Sequence, residues 1–456
     1  MPTDTITADA SPIRESARIT ALDAARGFAL LGILLVNIQA FAEPFGNFIL
    51  PKPESPDAAT ATLFYLVKVF AEGKFYPLFS ILFGIGLVLQ MDSVEAAGRS
   101  FRPLYLRRLF VLLVFGLLHA LLLWYGDILF IYALCGTVLL LCSRLRGKTM
   151  LTIGSVLLLG VAVGGGSVFG LMSYAGNARP APVSTAAAQD TEPAALEPGR
   201  PDDLDRLAKD SPFFTLINGF RDGRVQGGPE HPVWLENETR AYRDGPWLDS
   251  FLFRAMTWAF YLVFSLLGFG WSVLAAFFIG AGLARVGFFS PDRRPLRKRL
   301  VVIGLLIGLP AAAFGAFAPG LMPASLPAVV LAGFCMFAAG PLVALMYISA
   351  VTLIAESRSL RGVVRTLSAV GRMALTNYLT HTLVCTFIFY HWGLGQFAQW
   401  SRPERTLLVV GILAGQCVLS PLWLSMFRFG PMEWLWRTLT YWRLQPMRRS
   451  GADAAS

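Results

Sequence analysis

The feature that most constrains this chain is the recurrence of apolar runs of 18 or more residues, most of them closed by short arginine-rich loops. A run of that length spans the roughly 30 Å hydrocarbon core of a bilayer as a helix. In lipid every backbone N–H and C=O must be satisfied within the structure, which leaves helices or closed barrels. Barrel strands alternate polar and apolar over about 10 residues, and no such alternation occurs here. Charged residues make up 15% of the 456-residue chain, and mean hydropathy is +0.56; soluble domains carry about 25% charged residues. The reading is an all-α polytopic membrane protein of about ten transmembrane helices.

Charge sets the orientation. The net charge of +10 does not imply a nucleic-acid partner, because the cations sit in short loops beside the spans, as cytoplasmic loops require. Six basic segments, around Arg14 and Arg18, 99–108, 144–148, 293–299, 358–365 and 428–449, all fall on one side when the spans are counted. Both termini are therefore expected in the cytoplasm, and the protein is expected in a bacterial inner membrane, multi-pass.

The chain divides into a disordered cytoplasmic tail (1–20), an N-terminal membrane half with spans 1–5 (21–173), and a periplasmic segment (174–249). A second membrane half with spans 6–10 (250–426) and a basic interfacial tail (427–456) follow. The periplasmic segment is linker-like to about 210, and 211–249 is the part able to fold over the membrane domain. Residues 58–91 exceed one crossing and are interrupted by Glu72-Gly73-Lys74. They divide into an outer interfacial helix to about 72 and span 2 from Phe75 to Met91. Residues 250–286 divide likewise, near 250–262 and 264–286, and span 9 covers about 368–390. Ala40-Phe41-Ala42 resembles a signal-peptide cleavage triplet, but the preceding apolar run is too long for an h-region and Asp23 and Arg26 interrupt it. The segment reads as an uncleaved first span.

The five cysteines lie in apolar runs without metal-type spacing and read as packing residues. The four histidines are scattered singly, so no metal site is expected.

Polar residues at membrane depth mark candidate sites, because their burial is costly. Span 1 carries Asp23, Arg26 and Asn37. Arg26 and Asn37 share a face about 16 Å apart along the axis. Arg26 either snorkels to the inner interface or faces a cavity. His119 near the outer end of span 3 and Asp127 just past the turn can meet if spans 3 and 4 are antiparallel. The carboxylate would then orient the imidazole as a general base; alternatively Asp127 caps span 4 and His119 bonds a neighbouring helix. In span 9, Asn377 and His381 share a face near Arg372, as substrate ligands or as interhelical hydrogen-bonding groups. Glu72 and Lys74 form either a salt-bridged interfacial turn or the rim of an outer cavity.

Four stretches, LDAARGFALLGILLVNI (22–38), RRLFVLLVFGLLHALLLWYGDILFIYALCG (107–136), GRMALTNYLTHT (371–382) and GPMEWLWRTLTY (430–441), resemble the YeiB-like family of bacterial inner-membrane proteins. The C-terminal part of that family is known only as a domain of unknown function. The Asp-x-x-Arg-Gly run is also similar to span 1 of membrane acyltransferases of the acyltransferase-3 and heparan-glucosaminide acetyltransferase types. That similarity implies about ten spans and transfer of an acyl group from a cytosolic donor across the membrane. The acyltransferase-3 type has histidine eleven residues beyond the arginine, at the position held here by Asn37. An amide cannot act as a base at neutral pH, so His119, or secondarily His381, would have to replace it.

Three functions follow. As an acyltransferase-like enzyme, Arg26 would help hold an anionic acyl-thioester donor such as acetyl-CoA, with no tightly bound cofactor. Asn37 would orient the reacting group, and His119 with Asp127 would take the proton of an envelope acceptor, a small molecule, lipid or glycan. As a transporter or flippase, the same residues would line a pathway. As a scaffold, they would carry no chemistry. Besides substrate, the lipid bilayer is the expected partner.

Overall fold

The computed structural model describes residues 11–49, 57–98, 100–178, 211–223, 225, 227–321, 325–357 and 360–449. Among these, regular structure is helical apart from one isolated antiparallel bridge, Phe427–Arg448. Helix α1 (Ser11–Ala42) begins inside the stretch read as a disordered tail. The short α2 (Phe45–Ile49), α3 (Ala58–Phe70), α4 (Phe75–Ala96), α5 (Phe101–Leu122), α6 (Leu129–Leu141) and α7 (Gly147–Ala178) complete the first half. The expected linker to about 210 falls mostly outside the described residues. Helices α8 (Pro212–Arg221) and α9 (Pro232–Arg243) lie over the outer end of the bundle, with Trp234 and Tyr242 buried there. Helix α10 (Trp247–Phe264) continues through a π-turn, Ser265–Phe269, into α11 (Gly270–Arg285). Helix α12 (Arg294–Ile303) continues through a second π-turn, Gly304–Gly308, into α13 (Leu309–Leu321). Helices α14 (Leu326–Glu356), α15 (Arg361–Arg372), α16 (Ala374–Phe389), α17 (Arg402–Met426) and α18 (Pro431–Tyr441) close the chain.

Eight helices among the described residues are long and apolar enough to cross a membrane. The shorter apolar α6 and α16 fall where spans 4 and 9 are expected. The protein is an all-α polytopic membrane protein. Contacts between loops sort by the sides that charge assigns. The Trp436 indole donates to Arg108 O, Arg285 to Ser143 O, and Arg372 to Arg428 O, all on the basic side. Arg405 pairs with Glu43, the Phe45 amide donates to Glu238, and the His391 amide donates to Tyr242 O, all on the other.

Three boundaries differ from expectation. Residues 247–285 form one unbroken run of 39 helical residues rather than an outer helix and a separate span. At 1.5 Å per residue it is about 58 Å long, so its outer part stands beyond the core. There Arg254 donates to Leu121 O and Leu123 O at the end of α5. Span 9 is two helices meeting at Met373. Glu433 of α18 creates the second start by accepting from the Leu375 and Thr376 amides. That satisfies donors every helix N-terminus leaves open.

The third difference concerns the depth of the break between α3 and α4. A Cβ on Gly32 of α1 would strike the Phe75 ring, and Gly32 is twelve residues past Thr20 and ten before Ala42. The Gly73 carbonyl oxygen would lie 2.3 Å from a Cβ on Gly340, close to the midpoint of α14. The Tyr76 hydroxyl lies 3.1 Å from that of Ser272, thirteen residues before the inner end of α11. Three helices thus put residues 73–76 near mid-membrane. The expected interfacial helix is instead the outer half of a discontinuous span. Gly73 supplies a left-handed φ of 77°, a value that favours glycine, and Pro77 falls in the first turn of α4, where its missing N–H is harmless.

Helices pack closely at glycines, as membrane interfaces require when lipid is as apolar as leucine. At the crossing of α1 and α15, a Cβ on Gly27 would meet Leu367 O at 2.0 Å, and one on Gly371 would meet Asp23 O at 1.9 Å. Gly84 of α4 and Gly280 of α11 meet the facing backbones similarly. The glycine of the Asp-x-x-Arg-Gly run is therefore a packing residue.

Candidate functional site

A cavity of about 420 Å³ lies in the outer half of the bundle. Leu35, Val36 and Gln39 of α1 form one wall, Phe64 and Val67 of α3 a second, and Phe260, Tyr261 and Phe264 of α10 a third. Phe45 and Phe48 of α2, with Pro229, line its outer end. The lining is mostly apolar; Gln39, Glu72 and Arg402 bring the amide and the charges. Arg402, at the start of α17, sits 5.1 Å from the centre of the Phe64 ring, a cation–π distance. Glu72 lies eight residues beyond Phe64, about 12 Å farther along the α3 direction. The cavity thus runs from a cation near the outer surface to a carboxylate near mid-membrane.

The break that carries Glu72 is satisfied by the chain itself. The Lys74 ammonium is buried and donates to Lys68 O at 2.6 Å. A cation there offsets the negative end of α3 and caps an orphan carbonyl. The turn is therefore not held by a Glu72–Lys74 salt bridge. Glu72 is half-buried, lines the cavity, and makes no ion pair among the described residues.

At the inner end of α1, Asp23 and Arg26 form an ion pair of 2.8 Å, with 32% of the Arg26 side chain exposed. The Arg26 guanidinium lies against Gly86 of α4, eleven residues and about 16 Å inward of Phe75. Arg108 stacks 4.0 Å from the Trp436 ring centre and feels the charges of Arg26 and Arg437. Arg437 in turn lies within electrostatic range of Asp23, Arg372 and Glu433. Arginines from α1, α5, α15 and α18 thus converge at the inner end of the bundle beside two carboxylates.

His119 and Asp127 meet at 2.8 Å through Nδ1 and Oδ2. The other Asp127 oxygen accepts from the Phe130 amide at 2.8 Å, so one carboxylate both caps α6 and orients the imidazole. His119 Nε2 is 2.9 Å from the Thr382 hydroxyl of α16. The His119 and Asp127 side chains are 2% and 0% exposed, and neither lines the cavity. With both ring nitrogens engaged, His119 can take a substrate proton only if Thr382 moves.

His381 Nε2 bonds Gln416 Oε1 at 2.8 Å, and the Gln416 amide donates to Asn377 O. The Asn377 amide donates to Val370 O and to the Ser420 hydroxyl. These groups tie α16 to α17. Asn37 is half-buried and absent from the cavity lining. Helix α16 packs on α1 and reaches α5 through Thr382, so spans 1, 3 and 9 are neighbours. Arg26 and Arg372 share the inner cluster, whereas Asn37, the His119–Asp127 pair and the Asn377–His381 pair each lie apart from it.

Sequence reasoning missed Gln39, Arg402 and Glu433, and placed Glu72 at the surface. The available signal was Glu-Gly-Lys-Phe-Tyr-Pro inside an apolar run too long for one crossing. A glycine and a proline flanking a charge mark a break at depth as readily as one at the interface.

Comparison with known proteins gives a family. A profile described as "Protein of unknown function (DUF418)" matches residues 283–443. "Uncharacterized protein YxaH" of Bacillus subtilis is 33% identical over 448 residues, covering 96% of this chain and 98% of that protein. "Uncharacterized protein YeiB" of Escherichia coli is 31% identical over 441 residues, covering 93% and 96%. An uncharacterized 39.9 kDa protein of Bacillus acidopullulyticus is 26% identical over 445 residues, covering 96% and 97%. No solved structure matches. Likeness to YxaH and YeiB along almost the whole of each chain means that this multi-pass membrane protein belongs to the YeiB-like family.

Proposed function

We propose that this protein is an acyltransferase-like enzyme of the bacterial inner membrane. It passes an acyl group from a phosphate-bearing thioester on the cytoplasmic side to an amphipathic acceptor in the outer cavity. The observation that carries the reading is the two-ended use of α1. Its inner end joins a cluster of arginines suited to an anionic donor, and its outer half walls a carboxylate-bearing cavity. Arginine suits phosphate through planar, charge-assisted hydrogen bonds. The apolar walls suit an acceptor with a lipid-like portion. In this reading the His119–Asp127–Thr382 set holds α5, α6 and α16 together around the site.

The test uses purified protein in nanodiscs, acetyl-CoA as donor and an envelope lipid extract as acceptor, with free thiol as readout. Wild type releases thiol above the protein-free rate, and a new acylated species appears by mass spectrometry. A charge-assisted contact is worth roughly 1.5–3 kcal/mol. Arg26→Ala therefore raises KM for acetyl-CoA by about tenfold or more while kcat changes little. No thiol release from wild type sinks the reading. A carrier is the second reading, favoured by the mid-membrane break, since discontinuous helices build substrate sites in many transporters. It requires solute flux into proteoliposomes without thiol release.

A further inference from the structure

We propose that Glu72 is the catalytic base of this site: its carboxylate accepts the acceptor's proton at mid-membrane. The inference rests on the acyl-transfer reading above. Other buried acids and histidines already have partners. Asp127 holds His119 and the start of α6, Glu433 caps α16, and Glu43 pairs with Arg405. Glu238 accepts from Phe45 and Trp234, and His381 is bound to Gln416. Glu72 faces the cavity instead. Its nearest cation in sequence, Lys74, donates its hydrogen bond to Lys68 O and stays within electrostatic range of Glu72 without forming an ion pair with it. The backbone around it is a purpose-built break, with Gly73 at positive φ, a lysine cap and Pro77 in the following turn. Irregular backbone at membrane depth is tolerated only where protein buries it or where it lines a cavity.

The depth also fits. Glu72 stands at the inner end of an outward-facing cavity, and the Arg26 guanidinium lies about 16 Å farther in along α4. A donor whose phosphates sit at Arg26 needs an extended arm of about 16 Å, threaded between α1 and α4, to bring its thioester carbonyl to Glu72. The acceptor hydroxyl gives its proton to the Glu72 carboxylate, and its oxygen bonds to the thioester carbon. The C–S bond breaks, and Glu72 returns the proton to the leaving thiolate. No electrons are gained or lost, and ester plus free thiol result. The mostly apolar walls fit a lipid-like portion, so the substrate class is a hydroxyl-bearing amphiphile.

The experiment measures thiol release in nanodiscs with acetyl-CoA and the envelope lipid extract, for wild type, Glu72→Gln and Glu72→Asp. General-base catalysis contributes about 10²–10⁴-fold. Glu72→Gln should thus lose at least about 100-fold in kcat with KM for acetyl-CoA unchanged, and Glu72→Asp should recover part of the rate. Size-exclusion profiles matching wild type show that the variants fold. Active wild type with Glu72→Gln within twofold of it overturns the role of Glu72 and leaves the acyl-transfer reading standing. Inactive wild type overturns the reading and this inference with it.

Discussion

Glu238 shows how one buried group can control the roof of the cavity. It is fully buried, and its two oxygens accept from the Phe45 amide at 3.1 and 3.2 Å and from the Trp234 indole at 3.0 Å. Burial outweighs these hydrogen bonds and pushes its carboxyl up to about 8 from an ordinary 4.5. A folded-state value above the unfolded one favours the protonated form. The stability this confers is complete below about 4.5 and is lost as pH rises through about 8. Thermal melts of the detergent-solubilised protein should therefore show wild type losing stability between pH 5 and pH 8.5, on the order of a few kcal/mol. Glu238→Gln keeps an acceptor for Phe45, removes the titration, and should flatten that slope. An equally steep fall in the variant would locate the dependence elsewhere. Phe45 lines the cavity, so this carboxyl also holds part of the cavity wall in place. At the same scale, Asp127 shows that two readings of a residue need not compete: it is helix cap and imidazole partner at once.

At the scale of elements, glycines separate two kinds of constraint. Gly27 lies where a Cβ would meet the Leu367 carbonyl oxygen at 2.0 Å, whereas a Cβ on Gly73 would meet nothing within 4 Å and only its φ of 77° is special. Overpacking a tight interface costs typically 1–3 kcal/mol, and α1 must move from α15 to relieve it. A single alanine at positive φ costs roughly 1 kcal/mol. Gly27→Ala should therefore lower the melting temperature more than Gly73→Ala. The reverse order would refute the close backbone contact between α1 and α15. The helix break at 71–74 follows the same division. Glu72-Gly73-Lys74 made it visible in sequence as a break, but its depth depended on the helices beside it.

At the scale of the molecule, charge and packing make one statement about sides. Exposed Glu95, at the end of α4, is assigned to the cytoplasm, and exposed Asp222, after α8, to the opposite side. A membrane-impermeant maleimide should label Asp222→Cys in osmotically shocked but sealed cells, and Glu95→Cys only after the inner membrane is opened. Labelling of Glu95→Cys in sealed cells would invert the topology.

The sequence by itself determined the class. Apolar runs must become helices in lipid, and arginine clusters favour the cytoplasm, so the helical membrane class and the expected polarity follow from transfer energies that act residue by residue. It also marked Arg26, His119 and His381 as polar residues within spans, and Asp127 as a possible partner for His119. Only the tertiary structure decided what offsets the cost of burying them, because hydrogen-bond partners come from helices far away in the chain. Thr382 closes His119, Gln416 takes His381, and Glu433 cuts span 9 in two. The same packing lowered Glu72 from the surface to mid-membrane. Depth is set by which helices a segment lies against, and no local pattern of residues encodes it.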